Sequence, residues 1–317
     1  MKEHKGVTAL LRAAEQERRC AIGDGGAIYH ALRRRVKALE LASPYPNLFA
    51  DVRYWDSLNP EECSLHMIRA LAELHPQWTF AGLSAACVYG YQHSYALHDG
   101  SVIIASPKGS GHGSAEQLRR LYMHVVPRQK VRGIAVTSPS RTLIDCAAMP
   151  FSNALAIYDS ALRAGHVAIA DIETLMPTTN CDTASVAKLL KHADPRRENG
   201  GESWTYASII ELGYAEPSLQ VEFTNPDNPG MPYRVDFCWR LADGRIIVAE
   251  YDGMAKYVDA SNPHRASLQA KLNYERRREH SLTEQGVSTI MHLFFEDVRT
   301  TARLEARLSE AGVPKIR

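Results

Sequence analysis

The stretch YRVDFCWRLADGRIIVAEYDG, residues 233–253, decides the fold. Two runs rich in β-branched and aromatic residues flank the short polar segment Ala242-Asp243-Gly244, which is the pattern of a β-hairpin. A three-residue loop with Gly244 in the left-handed conformation makes Leu241 face Arg245. Counting back along both strands, Asp236 then falls opposite Glu250. Alternation puts Val235, Phe237, Trp239, Ile247, Ala249 and Tyr251 on one face, and Arg234, Asp236, Val248, Glu250 and Asp252 on the other. A two-residue Asp243-Gly244 turn would shift the pairing by one and destroy this alignment. Two carboxylates directly across a ladder repel unless something compensates. A divalent cation such as Mg²⁺ or Mn²⁺ would do so, accepting carboxylate oxygens while keeping sites for water and a phosphate.

Outward from the hairpin, residues 202–214 read as a helix and SLQVEFT (218–224) as a strand. A long helix spans about 265–285, STIMHLFFEDV (288–298) is a strand, and a closing helix follows. The expected order is α-β-β-β-α-β-α. Trp204 and Trp239 are read as core. The run ERRRE at 275–279 is either a solvated helix face or, through Arg276, Arg277 and Arg278, a set of phosphate contacts.

At the other end, residues 4–20 read as a helix, broken by GDGG at 23–26. The helix IYHALRRRVKALEL (28–41) places Ile28, Ala31, Leu32, Val36 and Leu39 on one face and crowds Arg33, Arg34, Arg35 and Lys37 over the rest. SPYPNLFA (43–50) adds a turn and a strand. Helix, break, basic helix and strand suggest a winged helix-turn-helix over 1–57 with double-stranded DNA as partner, set against a plain solvated basic face. Residues 58–175 read as a small α+β region. Its first helix, 59–75, opens with Asn59 as cap and Pro60 in the first turn, and strands are expected at GSVIIASP, MHVVP and GIAVTSP. Arg141 and Asp145 stand one turn apart as an ion pair. His93, His98 and His112 show no ligand spacing and are read as surface histidines. Residues 176–200, polar and broken by Pro and Gly, read as a linker to a last domain, 201–317.

Composition bounds the rest. A net charge of +1 excludes a uniformly basic molecule, so any nucleic-acid surface must be a local patch. Six scattered cysteines without a CxxC pair read as small buried hydrophobes in a reducing compartment, and thirteen dispersed histidines argue against a structural zinc. The charged N-terminal stretch is not a signal peptide, and no run of about 18 apolar residues is present, so no membrane span and a cytoplasmic location are expected.

The α-β-β-β-α-β order with Glu202, Asp236 and Glu250 resembles the PD-(D/E)xK restriction-endonuclease-like fold. More closely, VDF, then AEYDG, a basic helix and FFEDV resemble the domain related to the very-short-patch repair endonuclease, over about 198–305. Upstream, the basic helix with SPYPNLFA, and VTSPSRTLIDCA with ALAIYDSALRAG, resemble AbiEi-type antitoxins of type IV toxin–antitoxin systems. The fold class implied is α+β or α/β: a winged-helix-like segment, an α+β middle and a nuclease-like domain. The resemblance implies Asp236 and Glu250 as metal ligands, Glu202 as an auxiliary acid and Gln220 as a support. Related sequences read E-x-D-G-x-x-H. Here EYDGMAK puts Lys256 where that histidine stands, which is a departure from the plain E-x-K pattern. Asp252 is either a third metal ligand or the partner of Arg234, and Lys256 either a loop residue or catalytic. Two functions follow. One is a Mg²⁺- or Mn²⁺-dependent DNA endonuclease acting in phage defence. The other is a non-catalytic DNA-binding regulator or antitoxin with a cognate toxin.

Overall fold

The structure is a computed structural model that describes residues 4–108, 111–112, 116–252 and 265–316, with backbone alone at 111–112 and 265–272. In chain order the elements are α1 (Lys5–Gln16), β1 (Ala21–Ile22), α2 (Gly26–Lys37), β2 (Leu41–Ala42), β3 (Leu48–Asp51), α3 (Val52–Ser57), α4 (Pro60–Leu74) and α5 (Gly82–Tyr89). Then come β4 (Val102–Ser106), β5 (Gly111–His112), β6 (Leu118–Tyr122), β7 (Arg128–Val131), β8 (Ile134–Thr137), α6 (Pro139–Cys146), α7 (Phe151–Arg163), α8 (Ile169–Leu175) and α9 (Thr183–His192). The last are α10 (Gly200–Glu211), β9 (Ser218–Phe223), β10 (Tyr233–Arg240), β11 (Ile246–Asp252), α11 (Arg265–Glu284), β12 (Val287–Phe294), α12 (Phe295–Arg299) and α13 (Thr301–Glu310). The chain is thus a mixed α and β protein. No helix among the described residues is long and apolar enough to cross a membrane.

Two units emerge: Met1–Met149 with Ala164–Leu190, and Pro150–Arg163 with Lys191–Arg317. In the first, α1 and α2 pack on the sheet β1-β3-β2 through Val7, Ala14, Ala31, Leu32, Leu41 and Phe49. The α2 face read from the sequence needs two corrections. Leu39 is 82% exposed, because the helix stops at Lys37 and Leu39 turns left-handed at φ 58°. Arg35, placed among the DNA-facing cations, is buried and donates to the Ala31 carbonyl (3.2 Å), because it lies one turn beyond Ala31 on the apolar side. Arg33, Arg34 and Lys37 are exposed. Asn59 caps α4 as expected, in a capping box with Glu62. MHVVP is not a strand; the strand lies just before it, Leu118–Tyr122. Arg141 and Asp145 pair at 2.8 Å, but on a buried helix face, where burial raises the Asp145 carboxyl to about 6 against the lowering pull of Arg141.

The second unit is a four-stranded sheet, β12-β11-β10-β9, antiparallel except for the parallel pair β11–β12. A parallel neighbour needs a crossover, and α11 supplies it. The order from α10 onward is the helix, three strands, helix, strand and helices read from the sequence. The region read as 58–175 does not stay together. The helix α7 is buried along most of its length, from Phe151 through Ala154–Ala161, and packs on α10 in the second unit. The stretch read as a linker, 176–200, ends in core: Arg197 is fully buried, donating to both Asp159 oxygens at 2.6 and 2.9 Å.

Candidate functional site

The hairpin β10–β11 carries the pairing expected of a three-residue loop. Phe237 faces Ala249, Cys238 faces Val248 and Arg240 faces Ile246. Gly244 sits at φ 88°, a conformation that costs other residues more. At the open end of this hairpin, the Asp236 Oδ2 accepts the Tyr251 backbone N–H at 2.8 Å. The carboxylate is therefore tied to the backbone of the neighbouring strand, β11.

Asp236 is also tied to Glu202. Gln220 Nε2 donates to Asp236 Oδ1 and to Glu202 Oε2, both at 3.1 Å. Gln220 does so from a left-handed backbone, φ 51°, an uncommon conformation for a residue with a side chain. Glu202 is placed by the start of α10. The Asn199 Oδ1 caps the helix through the Gly201 and Glu202 amides, at 2.9 and 3.0 Å, and its Nδ2 donates to Glu202 Oε1 at 2.5 Å. The Glu198 amide donates to Glu202 Oε2 at 2.7 Å. Glu202 is only 3% exposed. Burial, then the charge of Asp236, raises its carboxyl to about 7, against the hydrogen bonds it accepts. Two acids thus share one donor amide, and the charge of Asp236 favours the protonated form of Glu202.

Glu250 meets Arg278. The guanidinium of Arg278, itself buried, pairs with the Glu250 carboxylate and donates to the Arg234 carbonyl at 2.8 Å. Burial opposes the charge on Arg278, yet the Glu250 hydrogen bond and charge more than offset it, so its pKa is raised. Arg278 is therefore removed from the nucleic-acid contacts read from ERRRE. Successive helical residues are about 100° apart, so three consecutive arginines cannot share a face. Arg278 falls with Leu282 on the buried side of α11, whereas Arg276 and Arg277 are exposed.

Arg234 does not answer Asp252: its guanidinium pairs with Glu198. Asp252 instead accepts from His292 Nδ1 on β12 at 2.9 Å, and His292 Nε2 lies 3.3 Å from Glu279. The Asp252 hydrogen bond, against burial, raises the His292 pKa. His292 was missed as a site residue by sequence reasoning, and Arg278 was read as a phosphate contact, not as the partner of Glu250. The signal for Arg278 was its helical spacing to Leu282; His292 had none, since a parallel partner strand is set by the crossover. Lys256 lies outside the described residues. The structure brings Glu202, Gln220 and Asp236 together, and sets Glu250 and Asp252 on β11, His292 on β12 and Arg278 on α11.

No protein-family model matches the chain, and no curated protein matches it. Among solved structures, a similarity is found to a crystal structure of the RV2827C protein from Mycobacterium tuberculosis, at 16% identity over 64% of this chain and 74% of that one. The TM-score of 0.32 is too low for that similarity to carry an argument about fold or function.

Proposed function

We propose that the second unit is a nuclease-like module of the PD-(D/E)xK kind that hydrolyses DNA phosphodiesters with a divalent metal, and that the winged-helix-like N-terminal segment binds double-stranded DNA. The observation that carries this reading is the Gln220 amide bridging buried Glu202 and Asp236, with Glu202 held near neutrality at about 7. Such an acidic pair costs stability, and perturbed carboxyls of this kind concentrate at functional sites. The donor set fits a hard cation: Asp236 and Glu250 offer carboxylate oxygens, and Asp252 is a third acid in the same region. Bound there, Mg²⁺ or Mn²⁺ supplies positive charge at the scissile phosphate and acidifies water. Gln220 orients both acids, and Glu202 exchanges a proton in the working pH range. Arg278 must yield Glu250 for that carboxylate to serve as a ligand.

A second reading, a non-catalytic DNA-binding regulator or antitoxin with a cognate toxin, is favoured by Arg278. A buried cation already neutralises Glu250, as in a site given over to scaffolding. Cleavage of supercoiled plasmid with Mg²⁺ or Mn²⁺ separates the two. The nuclease reading expects cation-dependent nicking that falls at least on the order of 10²-fold in Asp236→Ala. Nicking that survives this substitution refutes the site. A folded, DNA-binding wild type that never cleaves establishes the regulator. Arg33→Ala, Arg34→Ala and Lys37→Ala should each weaken binding across all DNA sequences and reduce the salt slope by about one.

A further inference from the structure

The first unit holds a second cluster of chemistry-bearing side chains, unrelated to the acidic residues. Cys87, His93 and His98 each offer one ligand atom, and these atoms all lie within 4.8 Å of one another. Local sequence explains why they meet. Cys87 is in the last turn of α5, which Gly90 closes in a left-handed cap at φ 77°. The chain then reverses, so that His93 folds back on the helix end. A single 3-10 turn, Tyr95–Leu97, capped by the Ser94 hydroxyl, returns His98 to the same point. His93 and His98 were read from the sequence as surface histidines in a loop-rich stretch without ligand spacing, and Cys87 as a small buried hydrophobe. The spacing is unusual because a helix cap and a 3-10 turn, rather than one helix face, set the geometry.

The donor atoms lie near the spacing of a metal centre. Cys87 Sγ lies 3.6 Å from His93 Nε2, and His93 Nε2 lies 2.7 Å from His98 Nε2. In a tetrahedral zinc site with Zn–S about 2.3 Å and Zn–N about 2.0–2.1 Å, neighbouring donors sit about 3.3–3.6 Å apart. The sulfur–nitrogen distance already fits, and the two imidazoles need part by only about 0.6 Å to reach the zinc spacing. The other ring nitrogens are anchored as ligating histidines require. His93 Nδ1 is 2.6 Å from the Tyr91 carbonyl and His98 Nδ1 is 2.8 Å from Ser64 Oγ. The Tyr91 carbonyl can only accept, so Nδ1 of His93 carries its proton and its Nε2 lone pair faces His98. Cys87 is buried, the two histidines are half-buried, and all six cysteines are free thiols.

We propose that Cys87, His93 and His98 bind a single Zn²⁺ ion, which clips the end of α5 to the 91–98 loop, with Ser64 of α4 orienting His98 and water in the fourth position. Binding displaces the Cys87 thiol proton to solvent, keeps the His93 proton on Nδ1, and moves the His98 proton from Nε2, where it faces the His93 lone pair, to Nδ1, where Ser64 Oγ accepts it. The competing arrangement is a metal-free hydrogen-bond chain: Ser64 donates to His98, His98 to His93, and His93 to the Tyr91 carbonyl.

The test is metal uptake by the untagged full-length chain, stripped with chelator and titrated with Zn²⁺, then with Co²⁺ as a spectroscopic substitute. The expected result is one ion per chain bound with sub-micromolar affinity, with thiolate-to-cobalt charge transfer in the near ultraviolet and tetrahedral visible bands. Cys87→Ser should abolish the charge-transfer band, and His98→Gln should lose tight binding. Ser64→Ala should weaken it about tenfold, while Asp236→Asn leaves it unchanged. Should His98→Gln fail to fold, judged by circular dichroism, the cobalt spectrum of Cys87→Ser decides alone. No stoichiometric uptake, uptake indifferent to Cys87→Ser, or uptake lost only in Asp236→Asn would overturn the proposal.

Discussion

Glu202 carries a carboxyl raised from 4.5 to about 7 by burial and by Asp236. An acid with a raised folded-state pKa binds its proton more tightly when folded. Its contribution is fully present below the unfolded value of about 4.5, and is lost as pH climbs toward the folded value of about 7. Denaturant-derived stability should therefore fall between those limits and level off above them. In Glu202→Gln this segment of the profile should flatten, and an unchanged slope would refute the assignment. If a divalent cation sits beside this pair, added Mg²⁺ should restore part of the stability lost at the alkaline end. Glu202 was legible in the sequence only through a family resemblance, because its perturbation comes from tertiary burial and then from Asp236, 34 residues away in the chain.

At the scale of elements, the site depends on how closely α10 lies on β11. A Cβ placed on Gly201 would run into the Tyr251 ring, so only glycine permits this approach. Tyr251 is also the residue whose amide holds Asp236. Gly201→Ala should cost about 1–3 kcal/mol of stability by forcing the ring or the helix aside. Through Tyr251 it should also loosen Asp236 and weaken Mg²⁺ or Mn²⁺ binding, read by calorimetry. Normal metal binding in a destabilised Gly201→Ala would separate packing from the site. The hairpin register was readable because loop length and a left-handed glycine determine it. The exact geometry at its open end was not, since there a side chain takes up a backbone amide.

For the whole molecule, α7 belongs with the second unit although residues 164–190 return to the first. The Asp159–Arg197 pair, both side chains 0% exposed, joins α7 to the segment entering α10. Removing one partner strands a buried charge, so Arg197→Met should destabilise the second unit by about 3–5 kcal/mol. For the same reason a fragment 191–317, which retains Arg197 without Asp159, should not fold by itself, while one that begins at 150 keeps the pair. A cooperative melt of fragment 191–317 would refute this. The sequence by itself determined the order of elements in the second unit, the hairpin register and the acids it carries, because these follow from local alternation, turn chemistry and residue type. Only the tertiary structure decided that Arg35 and Arg278 turn inward, that Arg278 holds Glu250, that a supposed linker is core, and that Cys87, His93 and His98 meet. Those outcomes depend on which helix face is covered and on chain reversals between distant positions, and neither is encoded in any single window of residues.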